Sequence, residues 1–133
     1  MLLIRDAALI TFGANSVSST TSDRWLYPSY QNTLAPTIAM YFRLPFKRSG
    51  KIRNLRIFHN TPGGNGLNIV YTLQVEAIST LLSVTIPSTS QDGSNLINVA
   101  SFNPGDRVSL YVQKAASIGA SPLDIIASME VFF

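Results

Sequence analysis

Cysteine is absent from this 133-residue chain, which excludes a disulfide framework, a thiolate metal site and a cysteine nucleophile together. Stability has to come from packing. Charge is scarce as well: 13% of residues are Asp, Glu, Lys or Arg, about half the share usual in soluble domains. A surface built instead from Ser, Thr, Asn and Gln repels its own copies weakly and suits a chain that assembles. No apolar run approaches the roughly 18 to 20 residues of a membrane helix. The opening "MLLIRDAALITF" has no positive charge ahead of its apolar residues and is interrupted by Arg5 and Asp6, so it is not read as an export signal. Apolar residues nowhere recur at helical spacing over three turns.

What the chain does have is alternation with period two, in short segments separated by Gly, Pro, Asn, Asp and Ser. In "NIVYTLQVEA" the residues Ile69, Tyr71, Leu73, Val75 and Ala77 share one face. Leu82, Val84 and Ile86 do the same in "LLSVTIP", as do Val108, Leu110 and Val112 in "DRVSLYVQ". The last segment aligns Ile125, Ala127, Met129, Val131 and Phe133. "TIAMYFRLPF" and "KIRNLRIFH" read as strands joined through "KRSG", and "ALITF" and "NLINVA" as shorter ones. About eight strands with turn signals between them predict an all-β antiparallel sandwich. The length fits one domain over 1–133, with a partly irregular arm over 1–36 and the main sandwich over 37–133. Trp25, Tyr27 and Tyr30 lie in the long irregular stretch 16–33 and are expected to lie across the sandwich or a neighbouring subunit.

The motifs that could carry chemistry are weak. "HNTPGGNG" holds a cluster of glycines, but a strand follows it instead of the Lys, Ser or Thr and helix that a phosphate loop requires. It reads as a reversal between antiparallel strands, where glycine and asparagine accept positive φ. His59 is the only histidine, closes a strand and reads as a hydrogen-bonded cap for that loop. No G-x-S-x-G elbow is present. Seven carboxylates are scattered singly, and those in "SQDGSN" and "NPGDR" read as turn residues rather than as calcium ligands or a glycosidase pair. No catalytic residue, metal or cofactor is expected.

The faces of the strands say more. Opposite the core side, the strands at 52–58, 107–113 and 124–133 show Ile52, Phe58, Tyr111, Ile126 and Phe132, an apolar set that marks an interface if it is contiguous. A bulge in the first or last strand would turn such residues into the core instead. Six of the ten basic residues are Arg43, Lys47, Arg48, Lys51, Arg53 and Arg56. This cluster sits on no nucleic-acid reading motif and reads as a solvated strand edge or a dock for an acidic protein surface. Partner docking is therefore assigned to Trp25, Tyr27, Tyr30, Arg43, Lys47, Arg48 and Lys51.

"VYTLQVEAISTLLSVTIPSTSQDGSN", "NVASFNPGDRVSLYVQKAAS" and "IIASMEVFF" together resemble the jelly-roll heads of bacteriophage virion proteins, of tail and head fibres, and of collagen-like spore-surface proteins. The likeness runs from about Leu55 to the end, and Pro104, Gly105, Asp106, Val108 and Ser109 form its most specific piece. These heads are similar to the C1q and tumour-necrosis-factor fold, an eight-stranded jelly roll. The resemblance implies a homotrimer formed through the sheet that contains the first and last strands. Two departures stand out: "EAIST" lacks the Asn-Gly common at that turn, and no collagen repeat precedes the domain. With no export signal and no stalk, the expected role is that of a non-enzymatic capsid decoration, or cement, protein. It would assemble in the host bacterial cytoplasm and sit on the virion exterior against the major capsid protein or another virion protein. No nucleic acid or membrane partner is expected. The alternative is a receptor- or glycan-binding head of a fibre or spike, with Trp25, Tyr27 and Tyr30 as stacking surfaces.

Overall fold

The computed structural model describes residues 7–16, 24–28, 42–43, 47–61, 68–114 and 123–133. They form ten strands and, among the described residues, no helix. In chain order these are β1 (Ala7–Ser16), β2 (Arg24–Pro28), β3 (Phe42–Arg43), β4 (Gly50–Phe58) and β5 (Ile69–Val75), then β6 (Ile78–Ile86), β7 (Asp92–Asn95), β8 (Ala100–Phe102), β9 (Arg107–Lys114) and β10 (Leu123–Phe132).

All ladders are antiparallel. One layer sets β1, β10 and β4 side by side, with β7 and β8 pairing successive parts of β4. The other sets β6, β5 and β9 side by side, with β2 and β3 on the far edge of β9. Because β2 also pairs with β1, the layers run into one path, β6-β5-β9-β2-β1-β10-β4-β7. The remaining seam, between β6 and β7, is bridged by a side chain. The Asn95 amide donates to the carbonyls of Ser83 at 2.9 Å and Leu81 at 3.4 Å. The sheet is thus nearly closed into a flattened barrel or sandwich, which leaves few unpaired edges.

The period-two pattern places the core as expected except at Ala77, which is exposed in the turn between β5 and β6. Ile69, Tyr71, Leu73, Leu82, Val84, Ile86, Val108, Leu110 and Val112 are buried from the second layer, and Ile125, Ala127, Met129 and Val131 from β10. Phe133 also departs from its expected face and is 39% exposed. Ile52, expected on the outer face, is fully buried. The reason is a bulge. Arg53 pairs with Glu130 and Arg56 with Ser128, so Asn54 and Leu55 together oppose Met129, and Asn54 takes φ 57°. One extra residue shifts the alternation by one, turning both Ile52 and Leu55 inward.

Several local readings also change. "ALITF" is part of the ten-residue β1, which lies between β2 and β10, and β2 falls inside the stretch expected to be irregular. "SQDGSN" contains strand β7 rather than a turn. Its glycine serves close approach: a Cβ on Gly93 would lie 2.7 Å from Val84 Cγ1. "NLINVA" is not a strand over 95–100, because Asn95 Oδ1 accepts the amides of Ile97 and Asn98 and folds the chain into a turn. "NPGDR" is the expected turn, with Asp106 N donating to Asn103 O and Asn103 N to Asp106 Oδ2. Residues 62–67 of the glycine cluster lie outside the described residues. The strands that flank them, β4 and β5, belong to different layers and do not pair with each other.

Candidate functional site

The outer face of the β1–β10–β4 layer carries the apolar side chains that the core does not need. Ile126 and Phe58 sit opposite each other across β10 and β4 and are 50% and 47% exposed. Leu9, opposite Glu130 on β1, is 67% exposed. Gly13 faces Ile126 from β1 and adds no side chain, so that part of the face stays flat. Between β10, β4 and β7 lies a depression of about 490 Å³ lined by Phe58, Ile126, Gly93 and Ser128, with Arg56 and Asp92 beside them.

The five expected interface residues therefore separate. Phe58, Ile126 and Phe132 belong to this layer, whereas Ile52 is core and Tyr111 lies on β9 in the opposite layer. Phe132 is half-buried under the Arg53 guanidinium, 4.2 Å from the ring centre. Arg53 is held in turn by Glu130, Nε to Oε2 at 3.2 Å, and Asn54 Nδ2 donates to the same oxygen at 3.0 Å. Leu9 was missed because "ALITF" reads as a short strand. The inward Ile10, Phe12 and Ala14 were the signal that would have pointed its neighbours outward.

The docking candidates also divide. Lys47, Arg48 and Lys51 are exposed around the entry to β4, and Arg48 lies 4.4 Å over the Phe133 ring. Arg43 pairs with Arg107 through β3, and Tyr30 lies outside the described residues. Trp25 and Tyr27 are half-buried on β2. The Trp25 ring tilts against Tyr111 with centroids 5.5 Å apart, and its Nε1 donates to Gln74 Oε1 at 2.9 Å. Buried Gln74 also accepts from Ser109 Oγ and donates to Ser79 Oγ, so the indole is fastened into the outer side of the second layer.

His59 is buried at the end of β4, where its amide donates to the Gln91 carbonyl. Its Nε2 shares a 2.6 Å hydrogen bond with Tyr71 Oη, while Nδ1 has no partner. Burial pushes the imidazole pKa down to about 4 and the Tyr71 phenol up. The expected capping bond thus runs to a core tyrosine. Four of the described carboxylates are engaged locally: Glu76 with Arg107, Glu130 with Arg53 and Asn54, Asp106 with Asn103, and Asp124 with Asn60. Among the described residues no three His, Cys, Asp or Glu side chains gather as a metal site would require.

No protein-family model and no curated protein matches this chain. Among solved structures, dimeric latent PorU from Porphyromonas gingivalis is similar over 98% of this chain at 14% identity, with a TM-score of 0.46. The chain spans 13% of the length of that protein.

Proposed function

We propose that this chain is a C1q/TNF-like jelly roll that trimerises and serves as a capsid decoration protein, stabilising a bacteriophage shell by bridging its subunits. The finer fold reading is supported by the strand order. The first and last long strands, β1 and β10, are neighbours, and the chain passes back and forth between two layers of five strands each, as in a jelly roll. The observation that carries the assembly reading is the exposed Ile126–Phe58 pair on that first-and-last-strand layer, with Leu9 also exposed farther along β1. Covering it removes apolar area from water at about 25 cal/mol per Å², and the low charge of the chain opposes the contact little. A trimer attached to several capsid subunits couples their dissociation, as multivalency requires.

Two measurements test the proposal. The purified protein should run as a species of three times 14.5 kDa by native mass spectrometry, and a stable monomer overturns the assembly reading. Adding it to undecorated capsids of the matching phage should raise their resistance to heat or osmotic shock, and unchanged resistance overturns the decoration role. The half-buried Trp25–Tyr111 pair favours a second reading, a glycan-binding head. Saturable binding on a glycan array, lost in Trp25→Ala, would transfer the function to it.

A further inference from the structure

Where β4 begins and β10 ends, the fold leaves a cleft of about 480 Å³ lined by Ser49, Lys51, Ser101, Phe102, Asn103 and the last two phenylalanines. Its floor is aromatic. Phe102 is buried and meets Phe133 edge to face, with centroids 6.2 Å apart at 79°. Gly50 lets β4 pass over that floor, since a Cβ there would lie 2.7 Å from the Phe102 ring and 2.6 Å from the Phe132 carbonyl oxygen. The rim is basic. Lys51 lines it and is exposed, as are Lys47 and Arg48 just before β4, and the guanidinium groups of Arg48 and Arg53 lie over Phe133 and Phe132. Of the described acids, Glu130 is paired with Arg53 and Asp106 accepts the Asn103 amide.

We propose that this cleft binds an acidic peptide segment of a partner protein, seating one apolar side chain against the exposed part of Phe133 with carboxylates against Lys51 and Arg48. The charge is complementary, and the open cleft has room for one side chain and its adjoining backbone. Ser49, Ser101 and Asn103 add hydroxyl and amide groups suited to a peptide backbone. A nucleic acid fits less well: each of the two rings has a face covered by a guanidinium, whereas bases need open faces for stacking. That the peptide belongs to a capsid subunit rests on the decoration reading. The cleft itself lies within one chain and stands without it.

The test is fluorescence polarisation with the full chain and a labelled short peptide carrying one leucine flanked by glutamates. Saturable binding is expected, weakened by salt and about tenfold weaker in the Arg48→Ser/Lys51→Ser double variant. Both substituted side chains are exposed, and an unchanged thermal midpoint verifies that the variant is folded. The inference is overturned by no binding, by equal binding of the double variant, by equal binding of a glutamine-flanked peptide, or by tighter binding of oligothymidylate. Native mass spectrometry of the same samples separates the two readings. A trimer that ignores the peptide sinks the cleft proposal alone, and a monomer that binds it supports the cleft while removing the trimer.

Discussion

Two polar residues hold more of this fold than their type would indicate. The His59–Tyr71 pair leaves Nδ1 unpartnered in the core, so taking up a proton there opposes folding. With the folded pKa near 4 against an unfolded value of 6.5, the stabilising effect of a neutral imidazole is fully present above pH 6.5. It is lost as the pH falls through 4, by about 3 kcal/mol in all. His59→Leu should flatten that part of the urea-midpoint profile between pH 7 and 4. It should also cost about 1–3 kcal/mol at pH 7 by stranding the Tyr71 hydroxyl; an unchanged acid slope would place the titration elsewhere. Asn95 uses one amide for two carbonyls of β6 and two amides of its own turn. Asn95→Ala is expected to cost about 2 kcal/mol or more and to speed hydrogen exchange at the β6 edge, which is read directly by mass spectrometry.

At the scale of elements, backbone conformation decides which side chains reach the core. The β5–β6 turn places Glu76 and Ala77 at φ 48° and 67°, the left-handed pair of a tight hairpin that Asn-Gly would adopt with less strain. Glu76 ties the turn to β9 by accepting Arg107 N at 2.6 Å and the Arg107 guanidinium at 2.6 Å. Ala77 has no such compensation in a conformation that disfavours any Cβ. Ala77→Gly should therefore raise stability by about 0.5–1 kcal/mol, the strain relieved exceeding the added freedom of the unfolded chain. A lower thermal midpoint would contradict this account. The bulge at Asn54 works in the same way on β4, since its φ of 57° suits asparagine far better than a β-branched residue.

The whole molecule is a core satisfied within one chain and an outer face that is not. Leu9, Phe58 and Ile126 stay exposed on the layer that holds the first and last strands. A charge placed there should oppose assembly without touching the core. If the chain trimerises as proposed, Ile126→Lys is expected to leave a monomer with the same far-ultraviolet circular dichroism, by sedimentation velocity. A trimer that survives the substitution would move the interface to another surface. Ile78, Leu81, Leu96 and Ile97 are exposed along the β6 side, which offers such a surface.

The sequence by itself determined the class of fold and most of its buried face. Alternation is a local property, and a strand with one apolar side has one way to bury it, so Tyr71, Leu73, Val108, Leu110 and Met129 were legible as core. It also excluded cysteine chemistry outright. Tertiary structure alone decided the rest. A bulge depends on what the partner strand offers, so Ile52 could not be assigned inward from β4 by itself. Gly93 is required by the packing of β7 over Val84, a contact invisible in "SQDGSN". Whether Tyr111 shares a face with Ile126 depends on which layer β9 joins. The cleft over Phe102 likewise gathers the entry to β4, β8 and the end of β10. These segments are far apart in the chain and meet only when β4 pairs with both β8 and β10, and no local pattern records that meeting.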